Sequence, residues 1–224
     1  MLADVGGQPL VVATWRRVRE AGFSRVFVAT DDTEIAAAVA AAGGAVLLTG
    51  DHPNGTARIA AALKGIAAEV VLNVQGDEPL VPVDSLLAIA RALLDPEGAA
   101  YGIATGAAPL CPSEASSPAR VKVVVGEGGR ALAFSRGAVP LGGPYRVHVG
   151  VYAFRPATLQ SVVRLPPSLT EGTESLEQLR WLEAGEPIRV VEVATGAPAV
   201  DTAADLEHVR AIFAARRAGN GEIG

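Results

Sequence analysis

The sequence predicts an α/β domain with helices on both faces of a mixed, mostly parallel sheet, and three observations carry that prediction. Helical and strand periodicities alternate almost from the first residues. Val70 to Val74 (VVLNV) is a continuous apolar run of the kind found in strands buried on both faces. The second half holds two strand-like runs joined by Gly126-Glu127-Gly128-Gly129, which reads as a hairpin.

The elements follow in order. Val11, Val12, Trp15, Val18 and Ala21 recur at helical spacing, and Gly22 is placed to end that helix. Arg25 to Thr30 (RVFVAT) is a short β-branched strand. Ile35, Val39 and Ala42 mark a helix stopped by Gly43-Gly44, and Val46 to Leu48 is the next strand. A helix around Ile59, Leu63 and Ile66 leads into VVLNV, and another runs from about Asp84 to Leu94. Strand–helix–strand units of this kind join parallel strands by right-handed crossovers. Arg120 to Val125 and Arg130 to Ser135 form the hairpin, and Arg146 to Phe154 is a long strand. Helices near 156–164 and 173–184, the strand Ile188 to Val193 and a helix from Ala203 complete the chain.

The 224 residues suit one domain, expected over 1–218, with 219–224 as a flexible tail. No run of 18 or more apolar residues and no signal-peptide pattern at Met1 occur, so the expectation is a cytoplasmic protein without a membrane partner. The lone Cys111 excludes an intramolecular disulfide and an all-cysteine metal site. A net charge of -5 gives no electrostatic footprint for nucleic acid. A nicotinamide-dependent oxidoreductase is disfavoured, because no GxGxxG lies between a strand and a helix.

Ligands of open α/β sheets bind outside the carboxyl ends of the parallel strands. The loop there after VVLNV is Gln75-Gly76-Asp77-Glu78-Pro79. Two adjacent carboxylates in a Gly/Pro-shaped loop suit a hard cation such as Mg²⁺, although an ordinary polar turn has the same composition. In Val200 to Leu206, Thr202 and Asp205 resemble a capping box, which leaves Asp201 as a surplus acid at a strand–helix junction. Asn54-Gly55-Thr56-Ala57-Arg58 also opens a helix; it reads either as a turn capped by Thr56 or as an anion or carbonyl site. His148, Gly150 and Tyr152 alternate onto one strand face, which lines a site or is solvated. Arg136 and the pair Glu174/Gln178, four apart on one expected helix face, are the remaining candidates.

Together these motifs are specific. NVQGDEP at 73–79, VKVV at 121–124, AFSR at 133–136, HVGVY at 148–152, LEQLRWLEAGEPI at 176–188 and VDTAADLEHVR at 200–210 stand in one order. With VATDDTEIAAAVAAAGG at 28–44, that order resembles the sugar-acid cytidylyltransferases, in particular the CMP-Kdo synthetases, from about Gly6 to Arg210.

The resemblance implies a three-layer α/β/α, nucleotide-diphospho-sugar transferase-like (Rossmann-like) fold with a hairpin dimerisation subregion. It also implies Mg²⁺-dependent transfer of CMP from CTP to a 3-deoxy sugar acid. Asp77 and Asp201 match the family's metal-binding acids. Asn54, Gly55, Thr56, Arg58, Gln75, Gly76 and Asp77 fall at nucleotide positions, and Arg136, His148, Tyr152, Glu174 and Gln178 at sugar-acid positions. A homodimer is expected. Two departures bear on substrate grip: Ala57 replaces an acid, and Ala119-Arg120 replaces an Asn before the VKVV strand. Family members also begin with an apolar strand and a basic loop, whereas this chain begins at residues resembling those just after them. The expectation is therefore a start about 20 residues downstream of a full domain's, without a mid-sheet strand and the triphosphate-binding cations.

Overall fold

A computed structural model describes residues 1–194 and 199–220. Helix α1 (Leu10–Glu20) buries Leu10 to Trp15, and Gly22, at a φ of 73°, lets the chain turn away. Strand β1 (Phe27–Thr30), helix α2 (Thr33–Ala41) and strand β2 (Ala45–Leu48) form one crossover unit. Its helix starts at Asp32, whose carboxylate accepts from the amides of Glu34 and Ile35. Helix α3 (Gly55–Ala62), strand β3 (Val71–Asn73) and helix α4 (Val83–Arg91) follow. Strand β4 (Ile103–Pro109) comes next, and no sequence pattern had marked it.

The expected hairpin forms from β5 (Lys122–Val125) and β6 (Ala131–Ser135), turning through Gly128 and Gly129 at φ 67° and 78°. Strand β7 (Tyr145–Phe154) and helix α5 (Pro156–Val162) lead to α6 (Leu169–Glu174) and α7 (Gln178–Glu183). Strand β8 (Ile188–Glu192) and helix α8 (Ala203–Asn220) complete the described chain. Thr202 and Asp205 exchange hydrogen bonds as a capping box at the start of α8. That helix covers Gly219 and Asn220 of the expected tail; 221–224 lie outside the described residues.

The six-stranded sheet is mixed and runs β6-β5-β7-β4-β8, with β3 also pairing β7. β3, β4, β5 and β8 point one way, β6 and β7 the other. On one face α4 packs Leu86 and Ile89 against Ala104, Val151 and Ala153. On the other, Leu159, Leu179 and Trp181 of α5 and α7 cover Ile103, Phe154 and Ile188. These are the three expected layers.

β1 and β2 form a separate parallel pair, tied to the main sheet through helices. Val11, Val12 and Trp15 of α1 pack on Val28 and Val46, while Val18 packs in the cluster that holds Leu72 of β3. Among the described residues neither β1 nor β3 has a second strand neighbour. VVLNV is therefore not sealed on both faces as its composition suggested. Val71 and Leu72 are half-buried, and only Asn73 is buried.

β4 shows why small residues sit at the sheet's centre. A Cβ on Gly106 would lie 2.7 Å from Val193 Cγ2 and 2.9 Å from Ile89 Cδ1. Gly106→Ala is expected to cost about 1–3 kcal/mol by overpacking. Urea unfolding checks this as a lower midpoint at unchanged slope.

Candidate active site

One edge of β7 is shared by two strands. β5 pairs with Tyr145 to Val147, and β3 with Tyr152 to Phe154. Between them the neighbours part, and His148 to Val151 border a crevice at the carboxyl end of β3. The amide of His148 still reaches Val121 O, at 2.9 Å.

The loop Gln75 to Pro79 enters this crevice from β3. Thr14 Oγ1 donates to Gly76 O at 2.8 Å and fixes the turn. Val200 N donates to Asp77 O at 3.0 Å, which brings the Asp201 segment against Asp77. Among the described residues Asp77 Oδ1 is buried with no hydrogen-bond partner. Burial raises the Asp77 pKa, its backbone hydrogen bonds oppose that, and the Asp201 charge adds to it. Burial, reinforced by the charges of Asp77 and Asp201, pushes Glu78 up to about 7. The charges of Asp77 and Asp201 thus both bear on Glu78.

The start of α3 adjoins that loop: a Cβ on Gly55 would lie 3.6 Å from Gln75 Oε1. Asn54, rather than Thr56, caps the helix, its Oδ1 accepting from Ala57 N at 2.8 Å. Thr56 is buried and donates to Glu177 Oε2 at 2.7 Å, while Asn54 Nδ2 donates to Glu177 Oε1 at 3.0 Å. Arg58 turns away to Thr49 Oγ1 at 2.7 Å and to Asp31 at 3.0 Å, bracing the carboxyl ends of β1 and β2.

The opposite wall is aromatic. The Phe134, His148, Tyr152 and Trp181 rings follow one another at centroid spacings of 5.1, 5.3 and 5.2 Å. The face carrying His148 and Tyr152 is thus packed and not solvated. The Tyr152 hydroxyl is buried without a partner among the described residues, and burial, then the Glu177 charge, drives its pKa well up. Burial pushes the His148 imidazole down to about 3, so the ring is neutral.

One expectation fails here. The helix foreseen over 173–184 is broken at Ser175, which takes a left-handed conformation (φ 53°, ψ 48°) and closes α6. Glu174 and Gln178 therefore do not share a helix face. Glu174 accepts from Arg136 N at 2.7 Å and Ser135 Oγ at 3.1 Å, and its carbonyl accepts from Arg136 Nε at 3.1 Å. Gln178 is buried at the start of α7.

The Arg136 turn is also held from below by Lys122, a buried lysine whose Nζ donates to Ser117 O at 2.8 Å and Arg136 O at 2.9 Å. Lys122→Met should leave both carbonyls unpaired and cost about 2–4 kcal/mol. The expected readout is a lower unfolding midpoint, together with faster amide exchange confined at first to 117–120 and 136–138.

A family model described as Cytidylyltransferase matches residues 1–188. A 3-deoxy-manno-octulosonate cytidylyltransferase of Anaeromyxobacter sp. (strain Fw109-5) is 46% identical over 96% of this chain and 90% of its own. The protein of that name from Escherichia coli is 39% identical over 98% of this chain and 91% of its own. The chain belongs to the 3-deoxy-manno-octulosonate cytidylyltransferase family.

A solved family structure, CMP:2-keto-3-deoxy-manno-octonic acid synthetase complexed with CTP, superposes with a TM-score of 0.90 at 39% identity, covering 96% of this chain and 91% of its own. The 4-diphosphocytidyl-2C-methyl-D-erythritol synthase of Anaerococcus prevotii, at 13% identity and a TM-score of 0.64 (94% of this chain, 91% of its own), shares the fold alone. Sequence reasoning missed Glu177 in the family's LEQLR segment, because helical spacing drew attention to Glu174 instead. It also missed the buried hydroxyl of Thr105, which sits in the unmarked strand β4. Among the described residues no helix is long and apolar enough to cross a membrane.

Proposed function

We propose that this chain transfers CMP from CTP to the anomeric hydroxyl of 3-deoxy-D-manno-octulosonate, releasing pyrophosphate. One observation carries the reading. Glu177, at the start of α7, accepts from Asn54 and Thr56, and Trp181 of the same helix packs on Tyr152, so α7 joins the two walls of a crevice; among the described residues Asp77 Oδ1 and the Tyr152 hydroxyl are buried without partners. Orphaned buried polar atoms in a cleft mark places that a ligand completes. The family membership and the CTP-bound neighbour support the same reading.

Asn54 to Thr56 with Gln75 and Gly76 bind the nucleotide in this reading, and Arg58 braces that wall through Asp31 and Thr49. Arg136 pairs with the sugar carboxylate, because a guanidinium forms charge-assisted hydrogen bonds with it. Glu174 holds the Arg136 turn rather than reaching the sugar. His148, Tyr152 and Gln178 meet the sugar hydroxyls. The sugar oxygen bonds to the α-phosphorus, the bond to pyrophosphate breaks, and the hydroxyl proton is released.

Asp77 and Asp201 fit Mg²⁺, because Asp77 Oδ1 is buried, has no hydrogen-bond partner among the described residues and feels the Asp201 charge. Among the described residues no group of three or more His, Cys, Asp or Glu is arranged for a metal, so substrate oxygens would complete the shell. When bound, the ion supplies phosphate charge neutralisation and acidifies the attacking hydroxyl.

A homodimer through the β5–β6 hairpin and β7 is part of the proposal, supported by the exposed Leu132 and Leu141 beside them. So is a cytoplasmic site of action supplying lipopolysaccharide synthesis.

The test is pyrophosphate release from CTP, Mg²⁺ and the sugar acid. It is run on this chain and on a form carrying a relative's strand and basic loop ahead of Met1. Release in either form that requires both substrates supports the reading. Release with N-acetylneuraminate but not with 3-deoxy-D-manno-octulosonate overturns the acceptor. CTP binding without release in either folded form overturns the activity.

A further inference from the structure

We infer that Thr105 of β4 is a positioning residue that locks His148 in the Nε2-protonated tautomer, so that Nδ1 is presented to the crevice as a hydrogen-bond acceptor for a sugar hydroxyl. The substrate part of this inference rests on the function proposed above; the tautomer does not.

β4 and β7 are in register up to Thr105, opposite Tyr152, and resume at Gly106, opposite Val149. Two residues of β7, Gly150 and Val151, therefore have no opposite number, and the strand is bulged there. Bulges re-aim side chains beside sites. Here the bulge brings two β7 carbonyls onto one buried hydroxyl. Thr105 Oγ1 lies 2.7 Å from Val151 O, 3.1 Å from Val149 O and 2.9 Å from His148 Nε2.

A threonine hydroxyl has one proton, and carbonyl oxygens only accept. The proton therefore points at the carbonyls. Were it turned to His148, the oxygen lone pairs would face Val151 O at 2.7 Å, acceptor against acceptor, in a fully buried position. Toward His148, Thr105 can only accept, so Nε2 must carry hydrogen. Burial holds the ring neutral, with a pKa of about 3, so Nδ1 is bare. Among the described residues Nδ1 has no hydrogen-bond partner. A bare imidazole nitrogen attracts a hydroxyl proton and repels a carboxylate. His148 therefore selects for a hydroxyl at its point of the sugar and leaves the carboxylate to the Arg136 side.

The experiment replaces His52 and His208 by Gln, leaving His148 as the only one of the chain's three histidines, and reads its ring nitrogens by ¹⁵N NMR. The expected result is a neutral ring protonated on Nε2, unchanged at a pH of about 6, where a free imidazole is partly charged. A ring protonated on Nδ1, or one charged at that pH, overturns the proposal without any substrate being added. Thr105→Val should convert the ring to a tautomer mixture and raise the sugar-acid KM about tenfold, with kcat within about twofold. Thr105→Ser should restore both values. Unchanged tautomer and KM in the Val variant, or no rescue by Ser, sinks it. If the Val variant does not fold, the wild-type spectrum still decides. If the spectrum is as expected but the sugar acid is not turned over, the functional reading fails and the positioning of His148 stands.

Discussion

Asp77→Asn is expected to lower pyrophosphate release by roughly three orders of magnitude while making the substrate-free protein more stable. The loss follows from the charge. A carboxylate that holds a cation on the phosphates contributes several kcal/mol to the transition state, and each ~1.4 kcal/mol is tenfold in rate. The gain in stability follows from the sign of the pKa shift. Burial, partly offset by backbone hydrogen bonds and aided by the Asp201 charge, raises the Asp77 pKa above its unfolded value. A raised carboxylate favours folding most below its unfolded pKa, and that contribution is lost as pH rises through the folded pKa.

At neutral pH the charged Asp77 therefore weakens the folded state, and an amide removes the penalty. Glu78, pushed up to about 7 by burial and by both neighbouring acids, acts in the same direction. The substrate-free protein should accordingly lose melting temperature between about pH 4.5 and 7. Asp77→Asn should flatten part of that slope, since it also removes a charge that raises Glu78. Thermal melts from pH 4 to 8, paired with the turnover assay, read both effects. An Asn variant that is less stable throughout would show that Asp77 has a protein partner after all.

The loop holding Asp77 was legible because it takes only an apolar strand and the rule that ligands gather at strand carboxyl ends to place it. Most of the fold was legible on the same terms, since β-branched runs and glycine stops mark β1, β2, α1, α2 and the β5–β6 hairpin. The central strand β4 was not. Its sequence, IATGAAP, has almost no strand signature, because Gly106 answers to close packing rather than propensity and Ala104 and Ala107 are buried in the clusters on its two faces. The break at Ser175 was equally silent: a left-handed residue is usually betrayed by glycine, and here it is serine. Thr105 and Glu177 were invisible for a third reason. Each is defined by partners distant in sequence, 43 residues away for His148, and 123 and 121 for Asn54 and Thr56. No local pattern encodes such a pairing.

Glu177→Ala should reduce kcat/KM about a hundredfold, with KM rising for the nucleotide and the sugar acid together. One carboxylate holds the Asn54–Thr56 wall and acts through its charge on the Tyr152 wall. It accepts from Asn54 Nδ2 at 3.0 Å and Thr56 Oγ1 at 2.7 Å, and its charge bears on the Tyr152 hydroxyl. Hydrogen bonds to a charged group contribute about 1.5–3 kcal/mol each, so loss of one geometry accounts for the hundredfold. Stability should move far less. Burial raises the Glu177 pKa, opposed by the Thr56 hydrogen bond and the charge of Arg180, so at neutral pH the ionised group already weakens folding. Removing it relieves that penalty while orphaning two donors, and the two effects oppose each other. Glu177→Gln, which keeps one acceptor oxygen, should fall between wild type and Ala in activity. A cycle with Asn54→Ala separates clamp from contact. If Glu177 acts through Asn54, the double variant is little worse than either single one. Fully additive losses would instead place the carboxylate directly on the sugar.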